Sequence, residues 1–308
     1  MTGSVLHDPS LQARHGQTAT LSDGRQLGFA EFGSQASDAT PVLVFHGLPG
    51  SRLEAASLHQ AGCELNVRVI GVDRPGIGLS SPQPNRKLLD WPADMKELAK
   101  HLNIQQYYVL GISAGGPYAL ACASQLPETE LLGVGIISGM GPWHLGTPGV
   151  TFELRVLLNS MAYAPWLARA LLDYSFVGPA QDPNPAKLKG FVEGAATRMN
   201  PSDREFCERP DVVDTLVATL RESYRNGAGP TVDEGQILTS DWGLELEKIT
   251  ATHVRMWYGT EDCNTPVSLG QYMVERIPGA ILKEYKGDSH FTIRRRATEM
   301  LQELVTAG

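Results

Sequence analysis

Six short apolar runs separated by helix-like segments constrain the fold of this chain more than any other feature. They read TPVLVFHG, VRVIGVDRPGIG, YYVLGIS, LLGVGIIS, HVRMWYG and AILKEYKG, and they begin at residues 40, 67, 107, 131, 253 and 280. Runs this apolar predict strands covered on both faces, as in a parallel sheet. The helix-like segments lie at about 51–63, 90–102, 114–126, 266–277 and 290–305. This alternation predicts a doubly wound, mostly parallel α/β sheet, with reactive loops at the carboxyl ends of its strands.

The alternation is preceded by a predicted hairpin and interrupted once. Residues 20–33 indicate two extended arms around Asp23-Gly24, a pair that accepts the positive φ angles of a tight turn. Between Ser138 and Ile249 no strand-like run is evident, and long helical stretches replace it. We interpret that insertion as a helical cap over the strand ends. The predicted division is a core of 1–141 and 242–308, in which 1–16 is a loose N-terminal extension, and a cap of 142–241.

Composition and charge exclude several classes of function. The formal net charge is −8, whereas a nucleic-acid-binding protein needs a basic surface, and the one basic run, 294–296, is predicted to be a solvated helix face. No apolar run approaches the roughly 18 residues that cross a membrane, so no membrane contact is expected. The first 16 residues lack the pattern of a secretory signal. Four cysteines without CxxC spacing favour free thiols in a reducing compartment, so we expect a cytoplasmic protein.

One serine lies where a predicted strand becomes a predicted helix. In VLGISAGGPYALACA, residues 109–123, Ser113 stands between Gly111 and Gly115 and completes the pattern G-x-S-x-G. A tight strand-to-helix turn exposes the hydroxyl, and the following helix directs its N–H groups and positive dipole end toward it. A helix N-cap is the purely structural alternative. Because a serine hydroxyl is a weak nucleophile alone, a base and an acid must come from elsewhere in the chain.

Five motifs, in order, carry a resemblance to a known family. They are SDGRQLGFAEFG, HGLPGS, DRPGIGLSS, GISAGG, and the pair YGTEDCNTP with GDSHF. The chain resembles the α/β-hydrolase superfamily over about 20–140 and 240–305, in the capped branch of esterases, haloperoxidase-like proteins, epoxide hydrolases and carbon–carbon-bond hydrolases. The serine at the turn speaks against epoxide hydrolases and haloalkane dehalogenases, because those relatives use an aspartate there.

The resemblance implies the partners of Ser113. The family pattern places the acid at Asp262 and the histidine at His290, in the chain order Ser, Asp, His. Both loops follow predicted strands, so both are expected at the sheet edge that carries Ser113. Glu261 and Asp288 are the rival acids by position in the sequence.

The resemblance also implies an oxyanion hole made of the backbone N–H groups of Leu48 and Ala114. Substrate selection is expected to come from the cap. The predicted substrate-contacting residues there are Trp143, His144, Met161 and Trp166. Three other residues near the motifs are given structural roles: Asp73 and Arg74 brace loops, and Cys263 is a small buried filler.

These assignments predict a reaction class. A serine nucleophile attacks a carbonyl carbon and forms an acyl-enzyme. We therefore expect a serine hydrolase, a carboxylic ester hydrolase that cleaves a small, mostly apolar ester, thioester or lactone. The same site can serve carbon–carbon hydrolysis, acyl transfer or cyclisation, and a non-catalytic small-molecule receptor is a third interpretation. No metal or organic cofactor is expected, because HExxH, CxxC and GxxxxGK[ST] are missing from the sequence. The expected partner is a small-molecule substrate, and a homodimer is left open.

Overall fold

Eight strands form one sheet at the centre of the fold. The structure is a computed structural model, and it describes residues 5–146, 148–197, 199–250 and 253–306. The strands are β1 (Gln17–Thr20), β2 (Gln26–Gly33), β3 (Thr40–Phe45), β4 (Val67–Val72), β5 (Tyr107–Ile112), β6 (Leu131–Ile137), β7 (Val254–Gly259) and β8 (Ile281–Tyr285). Their order across the sheet is β1-β2-β4-β3-β5-β6-β7-β8. The six predicted apolar runs are strands β3 to β8.

The sheet is antiparallel at one edge and parallel elsewhere. Strands β1 and β2 form the predicted hairpin, with Thr20 opposite Gln26, and β2 also pairs antiparallel with β4. The strands β4, β3, β5, β6, β7 and β8 run parallel, each to its neighbours in that order. The predicted doubly wound, mostly parallel α/β fold is confirmed. Because parallel strands share their carboxyl edge, the loops after β3, β5, β7 and β8 open on the same side of the molecule.

Twelve α-helices are present in the described residues. They are α1 (His59–Glu64), α2 (Trp91–His101), α3 (Gly116–Gln125), α4 (Phe152–Tyr163), α5 (Pro165–Leu172), α6 (Gly178–Gln181), α7 (Pro185–Ala196), α8 (Pro201–Cys207), α9 (Pro210–Ser223), α10 (Gly229–Thr239), α11 (Val267–Val274) and α12 (Ala297–Val305). The predicted helix at 51–63 is instead a 3₁₀ segment, Arg52–Leu58, followed by the short α1. The 3₁₀ segment begins close to β4, since a Cβ on Gly71 of that strand would be 2.1 Å from the Arg52 carbonyl oxygen.

The sheet separates two apolar layers, because successive strand residues point to opposite faces. Along β3, Val42 and Val44 face the layer that contains α1 and α12, whereas Leu43 and Phe45 face the layer that contains α2 and α3. The second layer continues into the helices that follow β6, where Leu158 belongs to the same apolar cluster. Burial on both faces explains why strands β3 to β7 are visible as apolar runs, whereas β8 (ILKEY) lies at the sheet edge and is partly exposed.

The inserted segment between β6 and β7 consists of helices joined by loops in its described residues. It contains α4 to α10, with a π-helical turn at Asp173–Val177 between α5 and α6, and no strand among the described residues of that segment. Helix α10 packs closely on α4, since a Cβ on Gly235 would lie 2.1 Å from Met161 Sδ. This segment is the region that the sequence assigns to the cap.

The N-terminal extension is not loose over its described part, which corrects the expectation for residues 1–16. Residues 5–7 and 12–14 form 3₁₀ turns. The His15 ring stacks on Phe32 at 5.0 Å between centroids, and Arg52 Nε donates a 2.7 Å hydrogen bond to the His15 carbonyl. Residues 1–4 lie outside the described residues. None of the helices described here has the length and apolarity that a membrane span requires.

Candidate active site

The serine turn connects β5 to α3 and holds an unusual backbone conformation. Ser113 has φ +53°, a left-handed value that L-residues seldom adopt. The two flanking glycines are required sterically. A Cβ on Gly111 would lie 2.4 Å from the Gly115 carbonyl oxygen, and a Cβ on Gly115 would lie 2.1 Å from the Phe45 carbonyl oxygen. The turn is therefore as tight as G-x-S-x-G predicts, and it projects the serine away from the strand.

His290 follows β8 and pairs with Asp262, which follows β7. The distance from His290 Nδ1 to Asp262 Oδ2 is 2.8 Å, and the Asp262 side chain is fully shielded from solvent. The two loops lie together because Glu261 N donates a 3.0 Å hydrogen bond to the Asp288 carbonyl. A carboxylate on Nδ1 fixes the tautomer whose Nε2 is free to accept a proton.

Asp262 is held as an anion by its surroundings. The backbone N–H groups of Asn264 and Thr265 each donate a 2.8 Å hydrogen bond to Oδ1. The Thr265 hydroxyl lies 3.0 Å from Oδ2 and 3.1 Å from His290 Nδ1. Burial alone would raise the pKa of Asp262, but His290 and the hydrogen bonds outweigh it and lower that pKa below its usual value.

Ser113 and His290 line the same cavity at the carboxyl edge of the sheet. Among the described side chains, no hydrogen bond to the Ser113 hydroxyl is formed in this structure. Such contacts are often long in unliganded enzymes and tighten when substrate binds. The structure thus joins the predicted base to the predicted acid directly, and the predicted nucleophile lines the same cavity as the base.

The rival acids occupy other positions. The Asp288 carboxylate pairs with Arg296 at 3.1 Å from Nε. Glu261 is exposed, beside an exposed Cys263 whose thiol donates to the Glu261 carbonyl. The expectation that Cys263 is a buried filler is therefore wrong. The loop turns its backbone inward to form the hydrogen bonds to Asp262, and this leaves the thiol facing solvent.

Two amides stand beside Ser113 with no hydrogen-bond partner among the described groups, those of Leu48 and Ala114. Both residues line the cavity with the serine. The loop that carries Leu48 passes next to the turn, since a Cβ on Gly47 would lie 3.5 Å from Ser113 Cβ. Two unpaired N–H groups at this place have the chemistry of an oxyanion hole.

The loop before Leu48 is fixed from both sides. Gly47 N donates a 2.7 Å hydrogen bond to buried Glu54, which also pairs with Arg294. On the other side, the Arg74 guanidinium donates to the His46 carbonyl at 2.5 Å and to the Gly47 carbonyl at 2.9 Å. These contacts hold the loop in one position, with Leu48 in the cavity wall.

His46 is part of this bracing. Its Nδ1 lies 2.8 Å from the Gly47 carbonyl, and its ring is buried. Burial and the neighbouring charge of Arg74 hold the pKa of His46 well below its usual value, so the ring is neutral. Because the His46 ring is neutral and contacts the backbone of its own loop, we assign it a structural role in that loop and not a role in proton transfer.

The cavity has two chambers that meet at Ser113. The inner chamber, of about 150 Å³, lies under the inserted helices. Its wall is mainly apolar: Leu48, Met140, Trp143, Val150, Leu154, Leu157, Leu158, Met161, Leu172, Phe176, Leu238 and Leu269. The outer chamber, of about 610 Å³, is more polar and opens beside α9; its charged wall residues include Glu54, Arg209 and Arg294.

Of the four predicted cap contacts, the structure places two in the inner chamber. Trp143 and Met161 line it. Trp166 is 74% exposed, and His144 is exposed outside both chambers, so these two assignments are wrong. Helix α5 buries Ala168 and turns that face inward. Trp166 lies two residues earlier, about 200° around the helix axis, and therefore points to solvent.

Several functional residues carried no recognised signal in the sequence. Thr265, which contacts both Asp262 and His290, stands three residues after the acid, where a hydroxyl could have been suspected. Glu234 is fully buried on α10, in a stripe with Thr231 and Leu238 that has helical spacing. A carboxylate in such a stripe signals a buried ion pair, but its partners are distant in sequence. No group of three or more metal-ligating side chains is found among the described residues.

The fold and the site define a class of protein. A model of the alpha/beta hydrolase fold family matches residues 40–145, which contain β3, the serine turn and β6. The eight-stranded sheet supplies the same architecture beyond that segment. The chain therefore has the α/β-hydrolase fold, as the resemblance predicted, and residues 40–145 match the model of that family.

Individual relatives agree with that class. The chain is 33% identical to an uncharacterized hydrolase, YcgS, of Bacillus subtilis over 115 residues, 37% of this chain and 38% of that protein. It is 23% identical to a proline iminopeptidase of Clostridium botulinum over 84% of this chain and 86% of that one. Among solved structures, esterase RhEst1 from Rhodococcus sp. ECU1013 is similar, with a TM-score of 0.65 at 18% identity, covering 96% of this chain and 100% of that one. The last similarity shows the fold alone.

Proposed function

We propose that this protein is a serine carboxylic ester hydrolase with Ser113 as nucleophile, His290 as general base and acid, and Asp262 as the group that orients His290. The observation that carries the proposal is the His290–Asp262 pair, 2.8 Å apart, in a cavity that Ser113 enters from a left-handed turn. A hydroxyl, an imidazole and a buried carboxylate in this arrangement are the requirements for acyl transfer through serine.

The proposed reaction has two halves. His290 Nε2 takes the hydroxyl proton while Ser113 Oγ attacks the carbonyl carbon, and the resulting oxyanion accepts hydrogen bonds from the Leu48 and Ala114 amides. His290 then returns the proton to the leaving oxygen, sulfur or nitrogen. Water repeats the sequence on the acyl-enzyme and releases the acid. Asp262 holds the imidazole in one tautomer and stabilises its charged form throughout.

The two chambers suggest the substrate class. The inner chamber offers apolar walls and suits a short apolar acyl chain. The outer chamber is larger and more polar and suits the leaving group. Esters, thioesters and lactones of modest size fit this division. The four free cysteines, of which Cys63 and Cys263 are exposed, support a reducing compartment as the place of action.

A peptidase is the less favoured alternative among the classes that the relatives raise. An aminopeptidase must compensate the positive charge of a free amino terminus with carboxylates. In this structure Glu54 and Asp211, two acids that line the outer chamber, are already paired, Glu54 with Arg294 and Asp211 with Arg209. Proline p-nitroanilide serves as the test substrate for this alternative, and we expect no turnover of it above that of the Ser113→Ala variant.

The proposal is tested by comparing the wild type with Ser113→Ala on p-nitrophenyl esters of two to eight acyl carbons. We expect kcat to fall by at least ~10³-fold in the variant, with the same melting temperature. A fluorophosphonate should label the wild type at Ser113 and leave the variant unlabelled. A folded wild type that resists labelling and hydrolyses none of the esters would instead indicate a small-molecule receptor. Product analysis with an added alcohol separates hydrolysis from acyl transfer.

A further inference from the structure

Glu234 is a fully buried carboxylate on cap helix α10 that the proposed reaction does not use. Three side chains from the core surround it. Arg74 Nε lies 2.5 Å from Oε2, Arg86 pairs with Oε1, and the Tyr118 hydroxyl lies 3.1 and 3.2 Å from the two oxygens. These partners come from the loop after β4, the loop before α2, and α3. One cap residue thus joins three separate parts of the core.

This cluster is ionic and dry. Glu234 and Arg74 are both 0% exposed, and Arg86 is nearly buried. Burial alone would raise the pKa of Glu234, but the charges of Arg74 and Arg86 outweigh it and lower that pKa. The carboxylate is therefore charged. Removing it would leave two guanidinium groups buried without their shared anion, which proteins tolerate poorly.

Two of these partners, Arg74 and Tyr118, contact or belong to the segments that carry the amides beside Ser113. The Arg74 guanidinium that pairs with Glu234 also donates to the His46 and Gly47 carbonyls, immediately before Leu48. Because a guanidinium is planar and rigid, the anion on one side fixes the direction of the donors on the other.

The other connection runs through α3. Tyr118 stands in the first turn of the helix that begins just after Ala114, and its ring also lies 4.9 Å from Arg74 Cζ. Its ring packs edge-on against Trp91, which packs edge-on against Phe45 at the end of β3. The same carboxylate therefore contacts the supports of both amides.

We propose that Glu234 is a positioning residue that ties the seating of cap helix α10 to the alignment of the two oxyanion amides. It acts through Arg74 on the Leu48 side and through Tyr118 on the Ala114 side. Helix α10 also lines the inner chamber with Thr231 and Leu238, so the helix that holds the oxyanion hole in place is a wall of the acyl chamber. This inference rests on the proposed function, because it concerns the same reaction.

The chain offers a matched control for this role. Glu222, on cap helix α9, forms another ion pair between cap and core, with Arg52 Nη1 at 2.5 Å; Arg52 is buried and the Glu222 side chain is 18% exposed. Arg52 in turn contacts Asp73 and the His15 carbonyl, and neither guanidinium nor carboxylate touches the loop before Leu48. We therefore expect loss of Glu222 to loosen the cap without disturbing the supports of the amides.

The experiment compares Glu234→Gln and Glu222→Gln with the wild type on p-nitrophenyl butyrate and on a trifluoromethyl ketone, whose serine adduct places an oxyanion in the same hole. One oxyanion donor is worth about 10²–10³-fold in kcat, so misaligning the pair through Glu234→Gln should lower kcat by ~10–100-fold. We expect KM to stay within about twofold and the ketone Ki to rise by the factor that kcat/KM loses. Glu222→Gln should lower the melting temperature and leave kcat within about twofold.

Three outcomes would overturn the inference. If Glu234→Gln folds and keeps the wild-type kcat and ketone Ki, Glu234 does not position the oxyanion amides. Equal losses of kcat in both variants show general loosening of the cap instead. If Glu234→Gln does not fold, Tyr118→Phe keeps both charges, and an unchanged kcat in that variant decides against the inference. A wild type that neither hydrolyses the ester nor reacts with a fluorophosphonate refutes the proposed function itself, a result distinct from these three.

Discussion

Asp262 shows how one carboxylate is selected from several by its surroundings. Its oxygens accept hydrogen bonds from two backbone amides and lie next to the Thr265 hydroxyl and the His290 ring. The neighbouring acids lack this environment, since Glu261 is exposed and Asp288 pairs with Arg296. Asp262 is therefore the acid whose position suits the orientation of His290, and mutation can test this assignment.

The first residue-scale prediction concerns this acid. Asp262→Asn keeps the size of the side chain but replaces an acceptor with an amide that can present N–H to His290 and select the wrong tautomer. We expect kcat for p-nitrophenyl butyrate to fall by ~10³–10⁴-fold with KM little changed. Asp288→Asn is the control and should keep kcat within about twofold. The reverse ranking of the two variants would move the acid to Asp288.

The sequence allowed the positions of site residues at strand ends to be predicted, but not the positions of residues on the cap. Ser113 and Asp262 follow apolar strands, His290 follows the more polar strand β8, and parallel topology brings the ends of these strands to one edge. Trp166 and His144 were misplaced because the inward face of a short cap element depends on packing partners far away in sequence. Glu234 was missed for the same reason, since its partners at 74, 86 and 118 are set by the tertiary fold.

Among the helices, α10 and α4 lie so close together at Gly235 that a side chain larger than hydrogen would clash there. Gly235 on α10 faces Met161 on α4, and a Cβ at Gly235 would meet Met161 Sδ, Cβ and Cγ at 2.1, 2.8 and 2.9 Å. The nearest of these atoms is flexible, but Cβ is fixed close to the backbone of α4. Glycine is therefore needed here for close approach, although it weakens the helix itself.

The element-scale prediction compares two helical glycines. Gly235→Ala should destabilise the protein by ~1–3 kcal/mol, because overpacking outweighs the gain in helix propensity. Gly190→Ala, on exposed α7 where no atom lies within 4 Å of the new Cβ, should stabilise it by ~0.5–1 kcal/mol. Urea unfolding of both variants provides the measurement. Stabilisation by Gly235→Ala would show that α10 can move away from α4 without cost.

Helix α4 illustrates why the existence of a cap helix is easier to predict than its orientation. Leu154, Leu157, Leu158 and Met161 follow the spacing of one helical stripe and line the inner chamber. Yet Phe152 and Val156 on other faces of the same helix are 67% and 51% exposed. Because α4 carries apolar residues on two of its faces, periodicity indicates a helix but does not single out the face that meets the core. Only the packing against α10 and β-sheet loops decides it.

Over the whole molecule, the candidate site exists only where cap and core meet. The core supplies the serine, the imidazole and the two amides, and the inserted helices supply most of the apolar wall of the inner chamber. The cap is joined to the core by two ion pairs, the fully buried pair of Glu234 with Arg74 and the largely shielded pair of Glu222 with Arg52. Such pairs contribute little net stability compared with apolar contacts, but they define one relative arrangement, since a displaced cap would leave buried charges unpaired.

The last prediction tests whether the inner chamber receives the acyl group. Leu154 is part of the chamber wall, whereas Val156 lies two residues on, about 200° around α4, and is half exposed to solvent. Leu154→Phe should shift the best p-nitrophenyl ester toward shorter acyl chains and lower kcat/KM for the octanoate by ~10-fold or more, since lost apolar contact is worth about 0.8 kcal/mol per methylene. Val156→Phe adds a ring to the opposite face and should leave the chain-length profile unchanged. Leu154→Phe could instead alter only the dependence of kcat/KM on the alcohol portion of the ester. That result would show that the inner chamber holds the leaving group and the outer chamber holds the acyl group.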